Sequence, residues 1–169
     1  MSLFEHLAVL TVLVLAAGFL SLSEISLAGA RKIKLKLLAE AGDERAQKVM
    51  SLQAQSADFF AASQLGLNAI AILGGILGEG ALRPYFYDWL SLFYNGPGRD
   101  NVAFVLSFVF VTTLFVLFSD LMPKRLAMIA PETTAMAVIR PVLLIIRLFR
   151  PFSWALNKVA NVLFRLFGV

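Results

Sequence analysis

The sequence predicts an all-α integral membrane protein with three transmembrane helices and juxtamembrane amphipathic helices. Two observations carry this prediction. Hydrophobic residues make up 59% of the 169 residues, against roughly 45–50% in soluble domains. Charged residues, only 15% of the chain, are clustered between three apolar runs that are each long enough to cross about 30 Å of hydrocarbon. A chain of this length accommodates one domain.

The first apolar run covers about residues 7–28 and carries a single charge, Glu24. No lysine or arginine precedes this run, whereas several follow it, beginning with Arg31. By the positive-inside rule, this asymmetry places the N-terminus outside and Arg31 in the cytoplasm. Apolar and charged residues then recur near helical spacing over residues 31–53, which predicts an amphipathic helix on the inner membrane surface.

The second apolar run covers about residues 59–82, is rich in glycine and carries one charge, Glu79. Residues 83–101 contain several aromatic residues followed by a glycine- and proline-rich turn, so they are predicted to form the outer loop. The third run covers about residues 102–122 and carries Asp120 as its only charge. It ends at a basic sequence, which places that end in the cytoplasm.

The remaining chain, about residues 135–168, has no stretch of about 20 uncharged residues, so a fourth span is not predicted. Its mixture of aromatic, aliphatic and basic residues suits amphipathic helices in the inner membrane interface. Six basic residues fall in the first predicted cytoplasmic segment and seven after the third span, against two outside. The predicted topology therefore has the N-terminus outside and the C-terminus in the cytoplasm.

Each predicted span carries one acidic residue and no basic residue to pair with it. These residues are Glu24, Glu79 and Asp120. An unpaired carboxylate in a span costs about 2.5–3.5 kcal/mol on insertion scales, so it usually faces a cavity, a proton or a cation.

Three polar interruptions of the apolar runs supply candidate cation ligands. Their hydroxyl, amide and carboxylate oxygens suit a hard cation such as Mg²⁺ or Na⁺ and do not suit zinc or copper. The alternative is that the serines and the asparagine only form hydrogen bonds between helices. The predicted cation- or substrate-binding residues are Ser21, Ser23, Glu24, Gln64, Asn68 and Asp120.

Composition argues against several other functions. The chain has no cysteine and one histidine, which excludes disulfides and thiolate metal sites. No serine lies beside a candidate base with an orienting acid, and there is no glycine-rich phosphate loop, so an enzyme is not predicted. The basic residues flank apolar runs, so they indicate membrane topology and do not indicate nucleic-acid binding.

Three phrases resemble the signatures of the CNNM/CorC family transmembrane domain: Ser21-Leu-Ser-Glu-Ile-Ser-Leu27, Gln64-Leu-Gly-Leu-Asn68 and Asp120-Leu-Met-Pro-Lys124. The resemblance implies a homodimer in the plasma membrane, here the bacterial inner membrane, that exports cations. Mg²⁺ efflux coupled to Na⁺ entry is the commonest activity that it implies. By the same resemblance, the metal ligands would be Ser21, Asn68 and Asp120, joined by nearby backbone carbonyls.

Two features favour a polyamine such as putrescine or cadaverine as an alternative substrate. The family motif usually has Glu where this chain has Asp120, which shortens the ligand arm, whereas Mg²⁺ requires ligands at about 2.0–2.1 Å. In addition, Arg31–Leu38, Asn68–Gly75 and Ile129–Glu132 resemble the bacterial polyamine exporter branch of the family. A diammonium ion would favour the same carboxylate and amide oxygens as a metal ion.

Family members continue into a cytoplasmic pair of CBS nucleotide-binding domains and a small C-terminal domain. We therefore expect residues 1–169 to be a single transmembrane domain of a longer protein, and ATP to act only through the missing CBS domains. A third interpretation, from another class, is a non-transporting membrane sensor or assembly module whose polar residues only pack helices.

Overall fold

The computed structural model describes the backbone of residues 3–166 and the side chains of residues 4–148 apart from residue 58. All regular secondary structure in this described part is helical. Its elements are α1 (Leu3–Gly29), α2 (Lys32–Glu40), α3 (Glu44–Ala54), α4 (Ser56–Leu90), α5 (Arg99–Phe115), a π-helical segment (Val116–Leu121), α6 (Met122–Ile129) and α7 (Pro131–Leu166).

Three stretches of the described chain are long and apolar enough to cross a membrane: Phe4–Gly29, Phe59–Leu90 and Arg99–Ile129. The apolar runs predicted from the sequence lie inside them. The predicted fold class, an all-helical membrane protein with three spans, is thereby confirmed. The third stretch comprises α5, the π-helical segment and α6.

The predicted outer loop over residues 83–101 was wrong at its beginning, because α4 continues to Leu90 with Pro84 inside the helix. A proline in a spanning helix is tolerated when neighbouring groups satisfy the carbonyl whose donor it removes. Tyr85, Tyr87 and Trp89, predicted to form an interfacial belt before the loop, therefore lie on the last turns of a helix, where interfacial aromatic residues also occur.

Two helices replace the single amphipathic helix predicted over residues 31–53. The break falls at Gly42, whose φ of 93° is left-handed and therefore favours glycine. Asp43 then caps α3 by accepting a hydrogen bond of 2.9 Å from the backbone N–H of Arg45. The Gly42-Asp43 pair was the sequence signal for this break. The apolar spacing concealed the break, because it continues from α2, which buries Leu35, into α3, which buries Val49.

The chain divides into two compact units, and α1, α4 and α6 each contribute to both. The first unit contains the chain up to Leu22 together with Gly66–Leu126. Glycines of α4 allow close packing inside this unit. A Cβ at Gly74 would overlap the Phe115 ring, and a Cβ at Gly78 would overlap Val111. The small-xxx-small spacing of these glycines thus marks a helix-packing surface.

The second unit contains Ser23–Leu65 and the chain from Ala127 onwards. Helix α3 packs against α2 and α7. The core side chains of this unit include Leu35, Val49, Phe59, Ile139 and Val142, all at most 2% exposed. The predicted inner helices over residues 135–168 are one helix, α7, as far as Leu166. The last predicted positions, and the side chains from residue 149 onwards, lie outside the described residues.

A buried carboxylate connects α2 to the first turn of α7. The Glu132 side chain is 3% exposed and accepts hydrogen bonds from Arg31 Nε at 2.8 Å and Lys34 Nζ at 3.2 Å. The hydrogen bond from Arg31, supported by Lys34, outweighs burial and lowers the pKa of Glu132 from its ordinary 4.5 to about 2. The carboxylate also lies at the positive end of the α7 dipole.

We expect Gly78→Ala to destabilise the protein by about 1–3 kcal/mol, because the added methyl group would force Val111 and its helix to move. Gly80→Ala is the matched control, since a Cβ there meets no atom within 4 Å. Thermal unfolding in detergent measures both. Equal midpoints for the two variants would contradict the close packing at Gly78.

We expect Glu132→Gln to cost about 1–3 kcal/mol at neutral pH, because it removes charge-assisted hydrogen bonds to two cations. The pKa of Glu132 is lowered in the folded state, so its stabilisation is complete above about pH 4.5 and is lost as the pH falls towards 2. The unfolding midpoints of parent and variant should therefore converge over that interval. A difference that stayed constant down to pH 2.5 would contradict the ion pair.

Candidate functional site

The candidate site lies at the π-helical segment Val116–Leu121 of the third span. The backbone N–H of Met122 bonds to the carbonyl of Leu117, five residues earlier, where an α-helix would use a residue four earlier. Segments of this kind occur frequently at functional sites. Asp120 is part of this segment, so the wider turn determines the direction of its side chain.

Pro123 follows directly and has no N–H, so the turn before it has one hydrogen-bond donor fewer than its carbonyls require. Helix α1 approaches this turn at Gly18. A Cβ on Gly18 would lie 3.2 Å from Pro123 Cγ and 3.6 Å from the carbonyl oxygen of Phe118. Glycine at this position lets the α1 backbone pass close to the turn that contains Asp120.

Ser21, one helical turn after Gly18 on the same face of α1, contacts Asp120 directly. Its Oγ donates a hydrogen bond of 2.8 Å to Asp120 Oδ1 and lies 3.4 Å from the Asp120 carbonyl oxygen. Ser21 is fully buried. The Asp120 side chain is 38% exposed, so the carboxylate is held from one side and accessible from another.

Lys124 supplies the second contact to Asp120. Its Nζ lies 2.7 Å from Asp120 Oδ1, four residues along the helix, and its side chain is 34% exposed. The prediction that the acidic residues of the spans lack basic partners was therefore wrong for Asp120. It was also wrong for Glu79, whose Oε1 lies 3.7 Å from Arg83 Nη1.

Both pairs have the i, i+4 spacing of neighbours on a helix surface. The predicted second and third runs ended before the next basic residue, and that is why the prediction missed a partner one turn further along. The spacing itself was the signal that could have found Lys124. Arg83 also pairs with Asp100 at the start of α5, which spacing could not have revealed.

The remaining predicted ligands are distributed over two helices. Asn68 is exposed on the part of α4 that belongs to the first unit, and Gln64 is exposed on the part that belongs to the second. Ser23 is fully buried on α1, where its carbonyl accepts a hydrogen bond of 3.1 Å from Ser26 Oγ. Glu24 is half-buried on the same helix. Of the predicted set, Ser21 and Asp120 are thus in direct contact.

The arrangement combines one carboxylate, one buried hydroxyl and the backbone carbonyls of the turn before a proline, all of them oxygen ligands. Within the described residues, no three side chains of His, Cys, Asp or Glu come together as a metal site. A metal ion here would therefore depend on hydroxyl, amide and backbone oxygens. Lys124 neutralises Asp120, so any incoming cation must compete with an ammonium group that is already in place.

Residues 8–169 match the CNNM family, described as the cyclin M transmembrane N-terminal domain. The chain is 45% identical over 157 residues to the polyamine export protein of Salmonella typhimurium, covering 93% of this chain and 35% of that protein. It is 41% identical over 169 residues to the polyamine export protein of Haemophilus influenzae, covering all of this chain and 39% of that protein.

The polyamine export protein of Escherichia coli K12 gives a similar result, with 44% identity over 165 residues, 98% of this chain and 37% of that protein. The chain therefore spans well under half the length of these relatives. The match covers all three candidate spans, apart from the first turn of α1, and every predicted ligand. This chain belongs to the CNNM family.

Proposed function

We propose that this chain is the membrane domain of a cation exporter whose substrate is a polyamine. The observation that carries the proposal is the primary ammonium group of Lys124, which lies 2.7 Å from Asp120 Oδ1. A polyamine ends in the same chemical group. The site thus already accommodates the hydrogen-bonding geometry and the charge of one end of such a substrate.

Exchange of one ammonium for another is the simplest binding step that this geometry supports. The substrate ammonium would replace Lys124 on the carboxylate, while the hydrogen bond from Ser21 keeps Asp120 oriented. The charge at Asp120 stays balanced throughout, so no isolated carboxylate is left in the span. The second ammonium of the substrate would need a further acceptor, and our candidate is the amide oxygen of Asn68, an exposed predicted ligand in the same unit as Asp120.

The relatives support this substrate over Mg²⁺, because three proteins named polyamine export protein are 41–45% identical to nearly the whole chain. Mg²⁺ efflux coupled to Na⁺ entry requires the ion to shed water in a near-octahedral site. A single carboxylate already paired with Lys124 offers little compensation for that dehydration. We further propose a homodimer in the bacterial inner membrane, with the N-terminus outside and the C-terminus in the cytoplasm.

Binding to the purified chain in lipid nanodiscs tests the substrate. We expect putrescine to give a calorimetric binding signal that Asp120→Asn abolishes or weakens at least tenfold. Asp88→Asn is the matched control, because Asp88 is an exposed carboxylate near the C-terminal end of α4, on a different helix from Asp120. If Mg²⁺ gave a signal and putrescine gave none, the result would contradict a polyamine substrate and favour the metal ion.

Lys124→Gln provides an independent prediction. Because this change removes the competing ammonium from Asp120, putrescine should bind more tightly, by about fivefold if the pair is worth about 1 kcal/mol. Lys36→Gln, which changes the charge equally on α2, should leave the affinity unchanged. If a Lys124→Gln protein of unchanged thermal stability bound putrescine more weakly, Lys124 would hold Asp120 in place for the substrate. It would then not compete with the substrate.

Transport distinguishes an exporter from a membrane sensor or assembly module. Cells that express the full-length protein should lose putrescine export on Asp120→Asn while the protein is still inserted in the membrane. Full export by the Asn variant would remove Asp120 from the mechanism. If the polar residues only pack helices, substitution of Ser21 should instead change the assembly of the protein, which size-exclusion chromatography measures.

A further inference from the structure

We propose that a cavity in the second unit binds the headgroup of an anionic glycerophospholipid. This inference goes beyond the proposed transport function. The cavity has a volume of about 260 Å³. Its apolar lining includes Leu27, Ala28, Phe59 and Phe60, and its polar lining is formed by Lys32, Gln53 and Ser56.

The lining changes from apolar to polar at the place where the spans end. Leu27 is on the last turn of the first candidate span, which ends at Gly29, and Phe59 begins the second. Lys32, Gln53 and Ser56 lie on the connecting segment outside both spans. An amphiphile in this cavity would therefore have its tail on the membrane side and its polar group at the interface, which is the orientation of a bilayer phospholipid.

Lys32 gives the cavity its charge. The neighbouring lysines of α2 have carboxylate partners, since Lys34 pairs with Glu132 and Lys36 lies 3.9 Å from Glu40. Among the side chains that the structure describes, Lys32 has no such partner within 4.0 Å. It is exposed at the rim of the cavity. A phosphate is the complementary group, and the inner surface of a membrane supplies it.

Gln53 provides an unpaired hydrogen-bond acceptor in the lining of the cavity. Its Nε2 donates hydrogen bonds to the carbonyls of Leu27 at 2.8 Å and Ala30 at 2.9 Å, which satisfies the C-terminal end of α1. Its Oε1 is buried and has no hydrogen-bond partner among the described residues. A buried acceptor of this kind needs a donor. A headgroup that carries a hydroxyl, such as glycerol in phosphatidylglycerol, has both that donor and the phosphate that Lys32 requires.

The size of the cavity agrees with this occupant. Pockets that enclose drug-sized ligands measure about 300–1,000 Å³. A cavity of about 260 Å³ holds a phosphoglycerol group and the first methylenes of the tails. Ala28, at its edge, is exposed, so the tails can continue into the bilayer.

Native mass spectrometry of the purified chain tests the proposal, with phosphatidylglycerol and phosphatidylcholine added in equal amounts. We expect the parent protein to retain phosphatidylglycerol preferentially and Lys32→Gln to reduce that preference about fivefold, the equivalent of about 1 kcal/mol per basic residue. Lys36→Gln carries the same charge change on the same helix outside the cavity and should reduce it by less than twofold. Equal losses in the two variants would mean diffuse surface attraction and would overturn the site.

Ala28→Trp tests the cavity without changing charge. An indole side chain at this lining position should fill the space and displace phosphatidylglycerol, while an unchanged unfolding midpoint shows that the protein is folded. Retention of the lipid by the folded Trp variant would overturn the proposal. A last measurement adds inorganic phosphate at millimolar concentration. Complete displacement of the lipid by phosphate alone would overturn the lipid proposal and assign the cavity to a soluble anion.

Discussion

The cost of placing a carboxylate in an apolar helix governs the arrangement of the third span. Asp120 is stabilised there from two directions, by the Ser21 hydroxyl of another helix and by the Lys124 ammonium of its own. The contact with Ser21 depends on two local features of the backbone. Ser21 reaches Asp120 because Gly18 lets α1 approach closely, and Asp120 lies in a π-helical turn. The close packing of this region and the contact between Ser21 and Asp120 thus have the same origin.

A different solution to the same problem occurs outside the spans. Glu132 is buried among α2 and α7, but it receives two cations and lies at a helix N-terminus, so it remains ionised. It joins elements that are distant in sequence and stabilises the second unit. Asp120 receives one cation and keeps more than a third of its side chain accessible, and it is the carboxylate that we propose exchanges partners. The number of fixed cations separates a structural carboxylate from a candidate ligand.

Much of the fold was predictable because hydrocarbon imposes simple rules on length and polarity. The three spans and the helical nature of the intervening segments follow from apolar run length and amphipathic spacing. The extension of α4 through Pro84 was not predictable, since a proline and several aromatic residues indicate a turn equally well. The break at Gly42 was detectable only from two residues, Gly42 and Asp43.

The candidate site was predictable in its residues but not in its connections. Polar interruptions of apolar runs identified Ser21 and Asp120, which the structure joins. Lys124 was overlooked as a partner although it lies four residues away. The π-helical turn was not predictable, because its apolar and polar residues do not distinguish it from an α-helix. Close approach at Gly18 likewise requires the partner helix to be known.

The π-helical segment also restricts how this span can change in length. Such a turn holds one residue more than an α-helical turn, so removal of one residue between Val116 and Leu121 would restore regular α-helix. Because the wide turn already absorbs the extra residue, the helix after such a deletion would keep nearly its present direction, and Pro123 and Lys124 would face the side that they face now. The same deletion within the regular α-helix of α5 would rotate everything after it by about 100° and move it by about 1.5 Å along the axis. A single-residue deletion is therefore compatible with the site at the π-helical segment, whereas in the preceding α-helix it rotates the site.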